Sequence, residues 1–349
     1  MSELLNRLAV EVATTVFGHK DQMNMHSGHT MSAVSKVVNV HHRPEHAGTM
    51  LRLQAYKFEM MPNGEQIRLL RQFAGKLGWM RYRKSQDVLG AAANISLSES
   101  CGKWFASIQT EREVERPKHP SDTSIGLDWG VTRFFTLSDG QYGNQLAPLQ
   151  AFLPKLAKLQ RWLARKKKFS SNWKKVKSRI TKLHSKIANI RKDFVNKASN
   201  SISKNHALVC IEDLQVKNMS AAAAGTKHKP GKNVRAKSRL NRSILDASPF
   251  QLRRQLEYKT VWRGGLLIAV PPQNTSRSCP CCEHVGKDNR KSQSEFVCLA
   301  CGFSAHADWV GAINIKRLGI ASLVCSWSSG AVSPSWQKPT ESIHAQARN

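Results

Sequence analysis

The feature that most restricts this chain is an aspartate set inside a strand-like apolar run. In SIGLDWG (124–130) small and apolar residues place Asp128 in a buried strand, and the Gly/Val turn that follows leads into a second β-rich run ending at Leu137. A lone buried carboxylate costs on the order of several kcal/mol unless it is compensated, or its pKa rises until it is neutral. Something positive must therefore sit beside it. Two later segments deliver the same kind of group: HALVCIEDL with Glu212, and the helix opening HADWVGAINI with Asp308. Asp213, next to Glu212, points to the opposite face of its strand and is left out. Taken singly, each acid has a bland role, as a turn acceptor, a partner for a lysine or a helix cap. Taken together, three acids brought to one point by separate elements describe a divalent-cation site.

The charge balance says what such a site would act on. Lys and Arg number 54 against 24 Asp and Glu, a formal charge of +30, which is the electrostatic footprint of a polyanion binder. Hydrolysing a phosphodiester needs an activated water and a stabilised leaving oxygen, which two Mg(II) ions about 4 Å apart provide. Asp128 would bridge both ions, with Glu212 and Asp308 each completing one side. No stretch approaches the roughly 20 apolar residues of a membrane span, and the N-terminus lacks the pattern of a secretory signal, so a cytoplasmic, nucleoid-associated protein with no membrane partner is expected.

Along the chain, residues 1–49 are polar and hold six histidines (His19, His26, His29, His41, His42, His46), read as a poorly ordered tail. Residues 50–118 form a small β-rich, barrel-like domain: LRLQAYKFEM alternates, Asn63 caps a short helix, and further strands run to Glu113 with a turn at Ser100-Cys101-Gly102. Residues 119–272 carry the acid strands as an antiparallel meander, then a helical hairpin (147–204) with an apolar seam through Trp173, Val176, Ile180, Leu183, Ile187, Ile190 and Phe194. No acidic residue occurs between Asp139 and Asp193, so the hairpin's outer surface is cationic throughout. Met219 to Leu240 reads as a flexible basic loop. Ser248 is a cap and Pro249 a first-turn proline that open the next helix, and LLIAVPP is a fifth strand. The order β(Asp)-β-β-α-β(Glu)-α-β-α(Asp) is that of a ribonuclease H-like α/β fold. Residues 305–325, with a helix from Asp308 to Leu318, end that domain, and 326–349 read as a disordered tail.

Cysteine spacing supplies the most specific pattern. Of eight cysteines, Cys279-x2-Cys282 and Cys298-x2-Cys301 stand fifteen residues apart, the spacing of two knuckles that place four thiolates on one structural Zn(II). Residues 273–304 are accordingly a zinc ribbon, with Gly286 and Gly302 supplying backbone freedom. Cys281 competes with Cys282 as a ligand, and the two-residue gap favours Cys282. Cys101, Cys210 and Cys325 read as buried small hydrophobes or free thiols.

GLDWG, IEDL, the two-knuckle ribbon and D-x-x-x-A-I-N-I together resemble the RuvC-type nuclease of the TnpB (OrfB) proteins of bacterial insertion sequences, relatives of the type V CRISPR effectors. The resemblance runs from about Met50 to Leu318. It implies a RuvC domain behind a wedge domain, and an RNA-guided, Mg(II)-dependent DNA endonuclease whose partners are DNA and a guide RNA from the transposon end, with a homo-oligomer as a further option. Asp128, Glu212 and Asp308 fall on the family's catalytic positions, and Cys279, Cys282, Cys298 and Cys301 on its zinc positions. Three features depart from the pattern. Phe73-Ala74-Gly75 runs directly into Lys76 to Trp79 where the family carries a long helical recognition segment, an internal deletion expected to impair guide binding. Val310, followed by Gly311, replaces the usual Asn two residues after the last acid, which loosens the shell around the metal. Residues 1–49 have no counterpart. The competing readings are a catalytically silent RNA/DNA-binding relative and a transposase performing strand transfer.

Overall fold

The computed structural model describes residues 49–72, 80–226 and 228–328, the last five of these by backbone only. The histidine-rich segment up to residue 48, the junction 73–79 read as a deletion, the side chain of Cys325 and the tail from 329 lie outside the described residues. The chain divides into two compact units, one of residues up to Pro117 with Lys158–Ser185, the other of Lys118–Ala157 with the remainder from Lys186.

In the first unit, β1 (Thr49–Met61) pairs antiparallel with β4 (Lys103–Glu115), from Thr49↔Glu115 to Met60↔Trp104. β3 (Ala91–Ser100) flanks β4, and β2 (Arg81–Tyr82) flanks β1, giving the order β2-β1-β4-β3. No pairing of β2 with β3 closes this sheet among the described residues, so it is an open sheet and not the expected barrel. The β3–β4 hairpin turns on Cys101 and Gly102, both at positive φ (54° and 81°), as a two-residue turn of matching twist requires. Alternation buries Tyr56, Phe58 and Met60 on one face of β1. Against that face lies α1 (Gly64–Gln72) through Leu70. It starts with a reciprocal cap: Gln66 N–H donates to Asn63 Oδ1 (2.8 Å) and Asn63 N–H to Gln66 Oε1 (3.0 Å).

The second unit is built on a five-stranded mixed sheet of order β7-β6-β5-β8-β9. β5 (Ser124–Trp129), β6 (Arg133–Leu137) and β7 (Tyr142–Asn144) form the antiparallel meander, while β8 (Leu208–Glu212) and β9 (Leu266–Val270) add parallel to β5. In the chain between β7 and β8 come α2 (Pro148–Ala164) and α3 (Ser171–Asn205), the basic hairpin, of which Lys158–Ser185 is assigned to the first unit. Between β8 and β9 come α4 (Val216–Met219), α5 (Val234–Ala247) and α6 (Pro249–Trp262), and α7 (Ala307–Ser328) closes the fold.

Three expectations change here. Residues 234–247 are helical, and the part up to Leu240 falls in the stretch read as a flexible loop. The segment before them is pinned, with Lys237 Nζ donating to the Met219 carbonyl (2.6 Å) and Asn241 Nδ2 to the Ser220 carbonyl (2.9 Å). Ser248 makes no side-chain cap; at φ 54° it ends α5 with its N–H on the Ile244 carbonyl (3.2 Å) and swings the chain into α6. The final helix continues past Leu318 to Ser328. No helix among the described residues is long and apolar enough to cross a membrane.

Candidate active site

Alternation along two neighbouring parallel strands sets the site. Ile125 and Leu127 of β5 and Val209 and Ile211 of β8 face one way, into a core shared with Phe134, Val195, Leu252 and Leu256. Gly126 and Asp128, and Cys210 and Glu212, therefore face the other way, under α7. Because Leu127 pairs with Ile211, Asp128 and Glu212 leave adjacent strand ends side by side. Glycines allow α7 to press down: a Cβ on Gly126 would meet the Ala312 carbonyl at 2.0 Å, and one on Gly319 would meet Cys210 Sγ at 2.2 Å. A Cβ on Gly311 would lie 2.9 Å from Asp128 Oδ2, so Asp128 rests against the bare backbone of α7. Asp308 lies in the first turn of that helix.

The acids also influence one another electrostatically. Burial, then the charges of Glu212 and Asp308, push the Asp128 carboxyl well above its ordinary range, against the opposing pull of Arg290 and the Trp129 N–H. Burial likewise raises Glu212, while the Thr275 hydroxyl, donating to Oε1 at 2.5 Å, and Arg290 pull it back. Arg290 Nη2 also lies 3.6 Å from Asp308 Oδ1. This guanidinium is the positive group that a buried acid demanded, and no sequence pattern singled it out. It comes from the ribbon, where its Nε and Nη2 donate to the carbonyls of Ser292 and Gln293 (3.3 and 3.2 Å). Thr275 was missed as well, and Asn314 stood in the D-x-x-x-A-I-N-I motif with no role given to it. Buried Asn314 on α7 donates to the carbonyls of Thr275 (2.7 Å) and Ser278 (2.8 Å), locking the segment that presents Thr275 to Glu212.

Asp213 projects to the opposite face, where Arg253 of α6 donates to it. Val310 packs with Cys279, Phe296 and Cys298 in the ribbon core, and Gly311, not Val310, makes the contact with Asp128.

The ribbon brings its four thiols together: all four Sγ atoms lie within 4.8 Å of one another, with Cys279–Cys301 at 3.6 Å and Cys282–Cys298 at 3.5 Å. Soft sulfur donors at that spacing suit a tetrahedral metal ion. Cys281 stays outside the cluster, and its backbone N–H donates to Cys279 Sγ (3.4 Å). β10 (Glu295–Val297) and β11 (Ser304–His306) form the second knuckle's hairpin, with Gly302 at φ 74°. The corresponding left-handed residue of the first knuckle is Glu283 (φ 62°), since Gly286 is extended at φ −143°. The acids are not gathered so tightly: among the described residues, the thiols are the group of ligand side chains that meets around a single point.

Several known proteins are similar to this chain. The OrfB family of IS605, described as "Probable transposase", matches residues 107–223, and a family described as "Cas12f1-like, TNB domain" matches residues 250–315. One described as "Helix-turn-helix domain" matches residues 50–77, of which residues 50–61 are β1 here. A protein of Escherichia coli K12 named "Putative RNA-guided DNA endonuclease InsQ" is 54% identical over 277 residues, 79% of this chain and 69% of that protein. A Streptomyces pristinaespiralis protein named "Putative RNA-guided DNA endonuclease" is 32% identical, over 65% of this chain and 52% of its own. Among solved structures, a Cas12f1-sgRNA-target DNA complex matches at 20% identity with a TM-score of 0.39, over 64% of this chain and 55% of that one. The chain belongs to the TnpB/OrfB family of insertion-sequence proteins. It spans about two thirds of the length of the first of these relatives and about half of the second.

Proposed function

We propose that this protein is an RNA-guided DNA endonuclease that hydrolyses phosphodiesters with Mg(II) held by Asp128, Glu212 and Asp308. One observation carries the reading: Asp128 and Glu212 leave adjacent parallel strands on one face of the sheet, and Asp308 opens the helix that covers that face, its charge among those that raise the Asp128 pKa. The strand order β7-β6-β5-β8-β9, antiparallel then parallel, supports a ribonuclease H-like (RuvC) domain. The names borne by the relatives support the guide and the DNA substrate.

The residues fit a divalent-cation site. The three acids lie near enough to influence one another, with one guanidinium to offset them, and the burial and like charge that raise Asp128 are what a hard cation would offset. Two Mg(II) ions bound there would supply the Lewis acidity that activates water and stabilises the leaving oxygen. The chain's own part is positional. Gly311 leaves Asp128 room, Thr275 orients Glu212, and Arg290 places positive charge where a phosphate approaches. In the ribbon, Cys279, Cys282, Cys298 and Cys301 would hold one Zn(II), a structural ion whose loss releases Arg290 from its place.

The test uses the protein with its co-purifying RNA. Plasmid matched to that RNA is cut in Mg(II), and Asp128→Asn abolishes cutting while plasmid binding persists. Wild type that binds but cuts under no supplied guide would reduce the protein to a nucleic-acid binder.

A further inference from the structure

The hairpin between α2 and α3 turns on Lys166 to Ser170, and at its tip stands a phenylalanine in a conformation that favours glycine. Phe169 has φ 67°, and its side chain is 65% exposed. A bulky residue in the left-handed region is a backbone outlier costing on the order of 1–3 kcal/mol, and such strain gathers at functional sites. The turn is otherwise orthodox: the Ser170 hydroxyl accepts from the Trp173 N–H (3.2 Å), and the Lys174 N–H bonds the Ser170 carbonyl (2.9 Å). Glycine or asparagine would satisfy it without strain or an exposed ring.

What surrounds the ring says what it meets. Phe169 leans on Trp173 with centroids 5.5 Å apart, and Lys168 and Lys177 cap the two rings at 5.2 and 5.0 Å. Trp162, 40% exposed, lies under Arg179 (5.2 Å) and Lys166 (5.8 Å). No acidic residue occurs anywhere from 140 to 192, so nothing on the hairpin's own surface pairs with these cations. Aromatic faces interleaved with unopposed positive charge are the arrangement that stacks bases while holding phosphates.

We propose that this tip is a base-stacking site: Phe169, backed by Trp173, stacks on an unpaired or strand-terminal nucleobase while Lys166, Lys168 and Lys177 engage the flanking phosphates. The proposal does not rest on the nuclease reading and needs no intact acid site.

Full-length protein is titrated, without added Mg(II), into matched single-stranded RNA and DNA carrying 2-aminopurine, and into a duplex with complementary hairpin-closed ends. Wild type quenches the single strands. Phe169→Gly abolishes quenching and weakens single-strand binding by roughly 5-fold or more, leaves the salt dependence unchanged and keeps or raises the melting temperature, since strain is relieved. Lys168→Gln keeps the quenching and lowers the salt slope by about 1. Quenching of RNA or of DNA each supports the site and assigns the strand. Unchanged affinity and quenching in Phe169→Gly, an equal loss on the closed duplex, or a lower melting temperature with binding intact would overturn it; the last would mean that the ring packs against protein.

Discussion

The two faces of the five-stranded sheet handle charge in opposite ways. On the face covered by α3 and α6, the strands contribute only apolar residues, and the charges that lie there are settled within the chain: Asp213 takes Arg253, and Lys259 donates to four oxygens of α3 and α6. On the face covered by α7, Asp128, Glu212 and Asp308 share one guanidinium, and Asp128 remains strained. The same strands make both faces, since alternate residues go to each. A face that settles its own charges needs no ligand, and the one that leaves them unsettled is where the proposed cation would bind.

The sharpest way to break this comparison is a pair of neighbours. Glu212→Gln and Asp213→Asn alter adjacent carboxylates that differ only in the face they occupy. Glu212→Gln, like Asp128→Asn, should lower DNA cleavage by on the order of 10³-fold while removing repulsion, so the magnesium-free protein melts no lower than wild type. Asp213→Asn should leave cleavage within about 2-fold and cost about 0–1 kcal/mol of stability, as befits a half-exposed ion pair. Equal losses of activity would mean that the register assigns the faces wrongly.

A step smaller are changes that keep every acid and disturb only its setting. Gly311→Ala inserts a methyl 2.9 Å from Asp128 Oδ2 and must displace that carboxylate, for an expected loss of about 10²-fold in cleavage with little change in the Mg(II) concentration needed. Thr275→Val removes the hydroxyl that orients Glu212, and should raise the half-saturating Mg(II) concentration by roughly 10- to 100-fold. If Thr275→Val instead lowered the plateau rate at unchanged Mg(II) dependence, Glu212 would not be a metal ligand.

What could be read from sequence follows the same division. Asp128 and Glu212 stood out because alternation is a local signal, and one apolar neighbour on each side suffices to reveal it. The thiols stood out because knuckle spacing is local too. Arg290 did not, because it lies in KDNRKSQS, where every residue is polar and nothing periodic marks the one that turns inward. Helix α5 was hidden for a related reason: Ile244 is its one large apolar residue that is fully buried, and side chains tie its basic surface to the preceding loop. Val310 was misplaced because a position counted from Asp308 says nothing about how α7 is rotated; packing of the helix on Gly126 sends Gly311, and not its neighbour, to the acids.

Lys259 gives the smallest effect and tests the quiet face by itself. Its ammonium donates to the Asn196 carbonyl and Oδ1 (2.9 and 2.7 Å), to Ser199 Oγ (2.7 Å) and to Gln255 Oε1 (3.1 Å), with no carboxylate among these partners. Burial, aided by Arg263, lowers its pKa from 10.5 to about 8. Between about pH 8 and the unfolded value near 10.4, the unfolded chain binds more protons than the folded one, so this group makes stability rise with pH. Below pH 8 both states are protonated and the burial cost is fully present; above 10.4 both are neutral and the cost is gone. Other titrating groups are common to wild type and Lys259→Met and cancel in their difference. The stability of wild type relative to Lys259→Met, from denaturant midpoints, should therefore grow by roughly 1–3 kcal/mol from pH 7.5 to 10.5. A difference that stays flat would mean that this lysine reaches water, and that the face opposite the acids is not a closed one.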